Sequence, residues 1–370
     1  MSGVDAEDRY WLWLAGVDGL FSKWFYKLIG VFLEPKEVWE NAEAIPLKIP
    51  GFPKELALNI LKARNKEYLD GLVAYMEESR ICYVTAASPE YPYPLHDLAD
   101  PPPVLYYKGT LPALWERSVA IVGTRNPTRN GEKTAGTLAA EIAAQDVIIV
   151  SGLARGIDAA AHKGAILAGG CTVGVLGCGA DVVYPKENEE LYERIIENGA
   201  IVSEFKPKTA PIAGNFPKRN RIIAALSQAT VVSEGGERSG ARITADIALS
   251  LGRQVFAVPC DIGSQVASLP VSLIKSGAEV LAGSRDLLTS MGWDTGRKTV
   301  AKKSSKKYVL DFLQEQIYNS LLKGDLGLEE LAEVLEAPIG QIGAALTRME
   351  LMGAVDCLPG NRFSVSVFHK

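Results

Sequence analysis

The run Phe216-Pro217-Lys218-Arg219-Asn220-Arg221 sets three cations and a side-chain amide around one aromatic ring. It lies in a stretch, residues 205–233, that contains no acidic residue, although the chain carries a net charge of -5. Lys206 and Lys208 share that stretch. Phosphates need positive charge and unpaired bases need a ring to stack on, so the combination fits a groove for a single-stranded nucleic acid. The bland alternative is a capped, solvated helix start. The ring set among cations favours the groove.

Three glycine turns offer further anion contacts. Gly123-Thr124-Arg125 follows an apolar run and supplies close backbone approach, a hydroxyl and a guanidinium fork. A nicotinamide site would instead want GxGxxG and an acidic residue closing the second strand, and neither is present. Ser151-Gly152 leads through Arg155 to Asp158, which suits the cap of a following helix. For Arg155, anion contact and an ion pair with Asp158 weigh equally. Ser239-Gly240 opens another helix, and amides near Gly123, Gly152 and Gly240 would act as directional donors. The glycine-rich Gly174–Gly179 segment is weak evidence alone. His162 lies on an alanine-rich helix without a visible partner and reads as a packed side chain rather than a catalyst. Glu234 and Glu237 raise a rival from another class, a nucleotide phosphoribohydrolase, but no nucleophile–base pair accompanies them. A third reading is a scaffold whose basic run is only solvated surface.

The elements that would position these residues follow from pattern. Short β-branched runs at 119–122, 147–150, 172–176, 200–202, 230–232 and 255–258, with a possible seventh at 279–281, alternate with amphipathic segments at 132–144, 158–168, 187–198 and 242–251. That alternation predicts a doubly wound α/β fold with a parallel sheet, whose ligands sit beyond the C-terminal strand ends. Residues 1–80 read as helical, with one helical pattern over 54–78. A proline-rich connector opens the α/β domain, which spans 81–295, and is expected to break regular structure. A basic linker covers 296–307. Residues 308–370 give three helical segments and a short β finish, the order of a winged helix.

Composition bounds the rest. The 47% hydrophobic and 22% charged contents are those of a globular protein, and no apolar run approaches the ~20 residues that span a bilayer. The acidic start carries no signal-peptide pattern, and five dispersed cysteines read as reduced thiols, so a cytoplasmic setting is expected. With three histidines and no CxxC spacing, neither a metal nor a cofactor is expected. Overall acidity argues against coating duplex DNA, leaving a local patch.

In order, Gly123-Thr124-Arg125, Ser151 to Asp158 with His162, Gly177 to Pro185, Phe216 to Ile223 and Ser239 to Ala245 resemble the motifs of the DNA-processing protein A (Smf) family, over nearly the whole chain. The resemblance implies a sterile-alpha-motif-like N-terminal domain, an extended Rossmann fold and a C-terminal winged helix. It also implies single-stranded DNA held in the Rossmann pocket, a homodimer, and loading of RecA onto incoming DNA during natural transformation. Arg125 takes the place of the family's DNA-binding arginine. Cys260, and Ser268-Leu269-Pro270-Val271-Ser272, depart from the family's pattern and leave the conformation of that loop open.

The expectation is therefore a non-enzymatic mediator in which Arg125, Lys218, Arg219 and Arg221 neutralise phosphates and Phe216 stacks a base. The third helix of the winged module offers only Gln341 and Arg348, opposed by Glu350, so duplex reading is disfavoured there and protein contact, or help from the basic linker, is preferred.

Overall fold

The computed structural model describes residues 8–261, 263–294, 310–322, 324–352, 354–358 and 360–365. The chain divides between residues 302 and 303 into two compact units. The expected basic linker at 296–307 lies outside the described residues.

Apolar residues at helical spacing form α1 (Arg9–Ala15), α2 (Ser22–Phe32), α3 (Pro35–Glu40), α4 (Ile45–Lys48), α5 (Lys54–Lys62) and α6 (Lys66–Glu78). The pattern read over 54–78 is interrupted after Lys62. Asn65 accepts the amide of Tyr68 at 3.0 Å, and this side-chain cap starts α6 afresh.

Nine strands then form one sheet. They are β1 (Cys82–Thr85), β2 (Val104–Gly109), β3 (Ser118–Val122), β4 (Ile148–Ser151), β5 (Thr172–Val175), β6 (Gly199–Ser203), β7 (Ala229–Val232), β8 (Gln254–Ala257) and β9 (Glu279–Val280). The connecting helices are α7 (Arg129–Ala143), α8 (Ile157–Leu167), α9 (Glu189–Asn198), α10 (Asn215–Ala225), α11 (Gly240–Ser250) and α12 (Ser268–Lys275), with α13 (Ser284–Ser290) after β9. The seven runs read from sequence are the seven parallel strands; β3 to β7 are buried throughout, β8 is buried beyond Gln254, and β9 at the sheet edge is exposed.

The strand order is β1-β2-β6-β5-β4-β3-β7-β8-β9. From β3 the chain winds outward through β4, β5 and β6, then returns to place β7 on β3's other side. The order thus reverses between β3 and β7, and a crevice opens there beyond the C-terminal strand ends. The connector is more regular than its prolines suggest. β2 pairs antiparallel with β6, and β1 with β2, adding two strands at the edge. Val104 and Tyr106 of β2 pack with Leu12, Phe25, Leu28 and Ile60, so the helical layer shares a core with that edge. The Ser268–Ser272 departure falls inside α12. There Leu269 is buried, and its amide donates to the carbonyl of Gly235 at 2.9 Å.

The C-terminal unit contains α14 (Phe312–Leu321), β10 (Leu326–Gly327), α15 (Leu328–Val334), α16 (Ile339–Leu351), β11 (Val355–Leu358) and β12 (Arg362–Val365). Asp311 and Gln314 form a reciprocal capping box on α14. Ile317, Leu331, Ile342, Leu346, Met349 and Phe363 fill the core. This is the expected winged helix, with β10 as an additional strand on β12.

Candidate nucleic-acid interface

A pocket of about 530 Å³ occupies the crevice where the strand order reverses. Val122, Gly123, Thr124 and Arg125 line it from the end of β3, Phe216, Pro217, Arg219 and Asn220 from α10, and Ser239 and Gly240 from the start of α11. A larger cavity, about 880 Å³, lies at the opposite ends of the strands among Tyr91, Tyr93, Trp115, Glu90, Asp97 and Glu116. Its carboxylates oppose a polyanion, so the smaller pocket is the candidate.

The cationic rim is built on rings. Arg125 is exposed, and its guanidinium carbon lies 5.5 Å from the centroid of the Phe216 ring. Phe216 packs against Tyr184 at 5.4 Å with the rings tilted by 37°. The Phe216 ring approaches the backbone so closely at Gly177 that an added Cβ there would lie 2.9 Å from it. Arg155 borders an adjoining small cavity with Arg125, Tyr184 and Phe216. Its ion pair is with Glu187, not with Asp158. Tyr184 was not singled out as a binding residue from sequence. The Tyr-Pro step after a glycine-rich strand end was the available signal.

The core motif itself is a helix, and helical periodicity divides it. Phe216, half-buried, shares the pocket face with the buried Arg219 and Asn220, whereas Lys218 is exposed. Arg219 is 4% exposed and donates to the carbonyls of Gly152, at 2.8 Å, and Val175. Its Nε donates to Asn220 Oδ1 at 3.1 Å, and Asn220 Nδ2 donates to the Gly240 carbonyl at 3.0 Å. Burial pulls the Arg219 guanidinium down to about 10, with the nearby Asp158 opposing. Burial likewise raises the Asp158 carboxyl, with Arg219 opposing. Arg219 is thus a bracket beneath the pocket rather than the expected phosphate ligand. Asn220 ties α10 to α11.

Arg221 departs from expectation in another way. It pairs with Glu204 at 2.7 Å and Asp100 at 3.1 Å. Burial opposes its charge, but the two carboxylates more than offset it and its pKa is raised. The acid-free stretch in sequence is therefore not acid-free in space.

The glycine turns are also occupied. Ser151 is fully buried and donates to the Ile121 carbonyl at 2.6 Å. The amide of Gly152 donates to Asp158 Oδ2 at 3.1 Å, and an added Cβ at Gly152 would lie 2.6 Å from both Asp158 and Arg219. The amide of Thr124 donates to the Glu234 carbonyl at 2.7 Å. Among the three expected donor sites, the Ser239-Gly240 start of α11 remains open to the pocket.

Glu234 accepts from the amide and hydroxyl of Thr128, at 2.7 and 2.6 Å, and so braces the start of α7. Thr128 in turn caps α7 through the amide of Gly131 at 3.0 Å. Cys260 lies near the carbonyls of Ser233 and Val258, and burial pushes its thiol up to about 11. His162 is fully buried with Nδ1 2.7 Å from Thr172 Oγ1. Because Thr172 directs its hydrogen to the Ile149 carbonyl at 2.8 Å, the proton of that contact belongs to His162 Nδ1. Burial holds the imidazole down at about 3. It is the packed side chain that the sequence suggested.

A family model described as DNA recombination-mediator protein A matches residues 82–292, and a DprA winged helix domain model matches residues 302–361. Protein Smf of a Synechocystis strain is 32% identical over 97% of this chain and 99% of its own. DNA processing protein DprA of Bacillus subtilis is 41% identical over 60% of this chain and 74% of its own. Among solved structures, DNA processing protein A of Streptococcus pneumoniae aligns with a TM-score of 0.66 at 30% identity, over 76% of this chain and 97% of that one. DNA processing protein A of Helicobacter pylori, described for its single-stranded DNA binding mode, aligns with a TM-score of 0.53 at 30% identity, over 58% and 98%.

Proposed function

Because the chain belongs to the DNA recombination-mediator protein A family, we propose that its switch-point pocket binds single-stranded DNA and that it serves as a recombination mediator in DNA uptake. The observation that carries the reading is Arg125 held over Phe216, with Tyr184 beside it, on the rim of a crevice whose carboxylate, Asp158, is turned inward. A strand laid there finds a cation for its phosphates, two rings for its bases and the helix start at Gly240 for a further phosphate. Asn220, the side-chain amide of the run, is already bonded to Arg219 and the Gly240 carbonyl, so preference among sequences should be weak.

The same reading assigns no chemistry to the ligand. Glu234, the carboxylate on which a phosphoribohydrolase would depend, is occupied by Thr128, and Glu237 is exposed. Incubation with nucleoside monophosphates should release no base. Release abolished by Glu234→Gln would instead establish the enzymatic alternative. Handing the strand to RecA, protecting it, and acting as a homodimer in the cytoplasm are the further steps that the family resemblance implies.

The experiment is anisotropy with labelled single-stranded and duplex DNA of equal length across a salt series. Wild type should prefer the single strand and lose affinity as salt rises. Arg125→Ala should weaken binding and flatten the log–log salt slope by about 0.7, the effect of one lost single-strand phosphate contact. An unchanged slope in a folded variant would remove Arg125 from the site.

A further inference from the structure

We propose that α2 of the N-terminal helical layer continues the single-strand track beyond the pocket, with Phe21 as a second stacking platform and Lys23 and Lys27 as phosphate partners. The inference rests on the reading of the pocket given above.

The observation that joins the two surfaces is Lys218. It stands on α10 two residues beyond Phe216, and its Nζ lies 5.2 Å from the centroid of the Phe21 ring. Phe21 is 65% exposed, a large apolar ring left in solvent at the start of α2. Three residues on, Trp24 is partly exposed and flanked by Lys27 and Lys23, with Nζ atoms 4.9 and 6.0 Å from its ring. Rings and cations thus form two groups, Tyr184, Phe216 and Arg125 at the pocket and Phe21, Lys23, Trp24 and Lys27 on α2, with Lys218 of α10 reaching from the helix that carries Phe216 to Phe21.

Charge is distributed accordingly. Residues 19–33 contain no acidic residue, while Asp8, Asp18, Glu34, Glu37, Glu40, Glu43, Glu55, Glu67, Asp70, Glu77 and Glu78 occupy the rest of the described helical layer. The bordering Asp18 sits 3.5 Å from Lys206. The stretches 19–33 and 205–233 meet where Lys218 covers Phe21, while Arg221 of the second is already paired with Glu204 and Asp100. The placement is fixed rather than incidental. Lys206 Nζ reaches the Gly16 carbonyl at 3.4 Å, and Tyr26 of α2, half-buried, lies within the field of Arg221. A surface that is cationic, aromatic and reached by Lys218 of the helix that lines the strand-binding pocket suits a polyanion with flat apolar faces.

The test uses the full chain and oligothymidylates of about 6 and about 20 nucleotides, which bracket the ~4–16-nucleotide footprint of single-strand grooves. Phe21→Ala combined with Lys23→Glu and Lys27→Glu should weaken the longer oligonucleotide about tenfold or more and leave the shorter one unchanged. Its salt slope on the longer strand should fall by about 1.4, for two lost phosphate contacts. Arg125→Ala should weaken both lengths. All three substituted side chains project from the surface, and an unchanged melting curve checks the fold. As an independent readout, the longer oligonucleotide should quench tryptophan fluorescence, and Trp24→Phe should remove that component. The α2 proposal falls if the triple variant binds both lengths as wild type does, or weakens both equally, or if Trp24→Phe leaves the quenching intact. The pocket reading falls separately if Arg125→Ala alters neither length.

Discussion

Arg125 and Arg219 line the same crevice in different media. An exposed guanidinium over a ring keeps its charge available to a ligand, whereas a buried one is fixed by the groups that compensate it. Substitution at the two should therefore divide cleanly. Arg219→Ala leaves Asp158 buried without its neighbour and should cost about 3–5 kcal/mol of stability, read as a lower urea midpoint, whatever happens to affinity. Tyr184→Ala should leave the urea midpoint nearly unchanged and lose about 1–3 kcal/mol of single-strand affinity, measured by anisotropy. Undiminished affinity would remove Tyr184 from the stack. His162 provides a pH test. Its folded pKa, about 3, lies below the ordinary 6.5, so the unfolded chain takes up a proton that the native state refuses. Stability must then fall as pH drops from about 6.5 toward 3, by up to about 1.4 kcal/mol per pH unit. Asp158 and Glu204, whose pKa values burial raises, act in the opposite sense. Comparison with His162→Asn, in which the amide can still donate to Thr172, cancels that contribution. Between pH 7 and pH 5 the wild type should lose more of its urea midpoint than the variant, and equal losses would contradict the buried neutral imidazole.

At the scale of elements, the site depends on how closely α7 and α8 approach. Each begins directly after a turn of the pocket, α7 after Thr124 and Arg125, α8 after Arg155. They touch where an added Cβ on Gly164 would lie 2.1 Å from the Gly136 carbonyl. Gly164→Ala should force the helices apart at a cost of about 1–3 kcal/mol, seen as a lower melting temperature together with weaker strand binding. An unaffected melting temperature would mean that the helices yield there without strain. β3 to β8 were legible because strands buried on both faces write themselves as unbroken apolar runs, whereas the exposed edge strand β9 gave only a short one. β1 and β2 were not legible, because the flanking prolines mark the segment as irregular even though Val104-Leu105-Tyr106-Tyr107 is an apolar run. Their register depends on β6, almost a hundred residues away from β2.

Over the whole molecule, a net charge of -5 conceals local opposites. The described residues of the winged helix include Asp311, Glu315, Asp325, Glu329, Glu330, Glu333, Glu336, Glu350 and Asp356. Their cations are Arg348, which donates to the Ala344 carbonyl at 3.2 Å, and Arg362, which pairs with Glu330 at 3.2 Å. A surface of that sign repels a phosphate backbone. Arg348→Ala in the full chain should therefore leave both single-strand and duplex affinity unchanged. A tenfold loss on duplex would return α16 to the major groove.

The sequence by itself determined the parallel sheet, the winged helix, the family and the neighbourhood of the pocket, because periodicity, glycine turns and motif order are local properties. It also marked Arg125 and Phe216, which the pocket rim brings together. Only the tertiary structure decided the fate of individual charges. Within one helical turn, Lys218 reaches Phe21, Arg219 goes under the pocket floor, and Arg221 meets Glu204 and Asp100. Whether an arginine serves a ligand or the fold depends on burial and on partners such as Asp100, 121 residues away. Neither can be read from a linear stretch, because Coulomb energies and desolvation act through space and not along the chain.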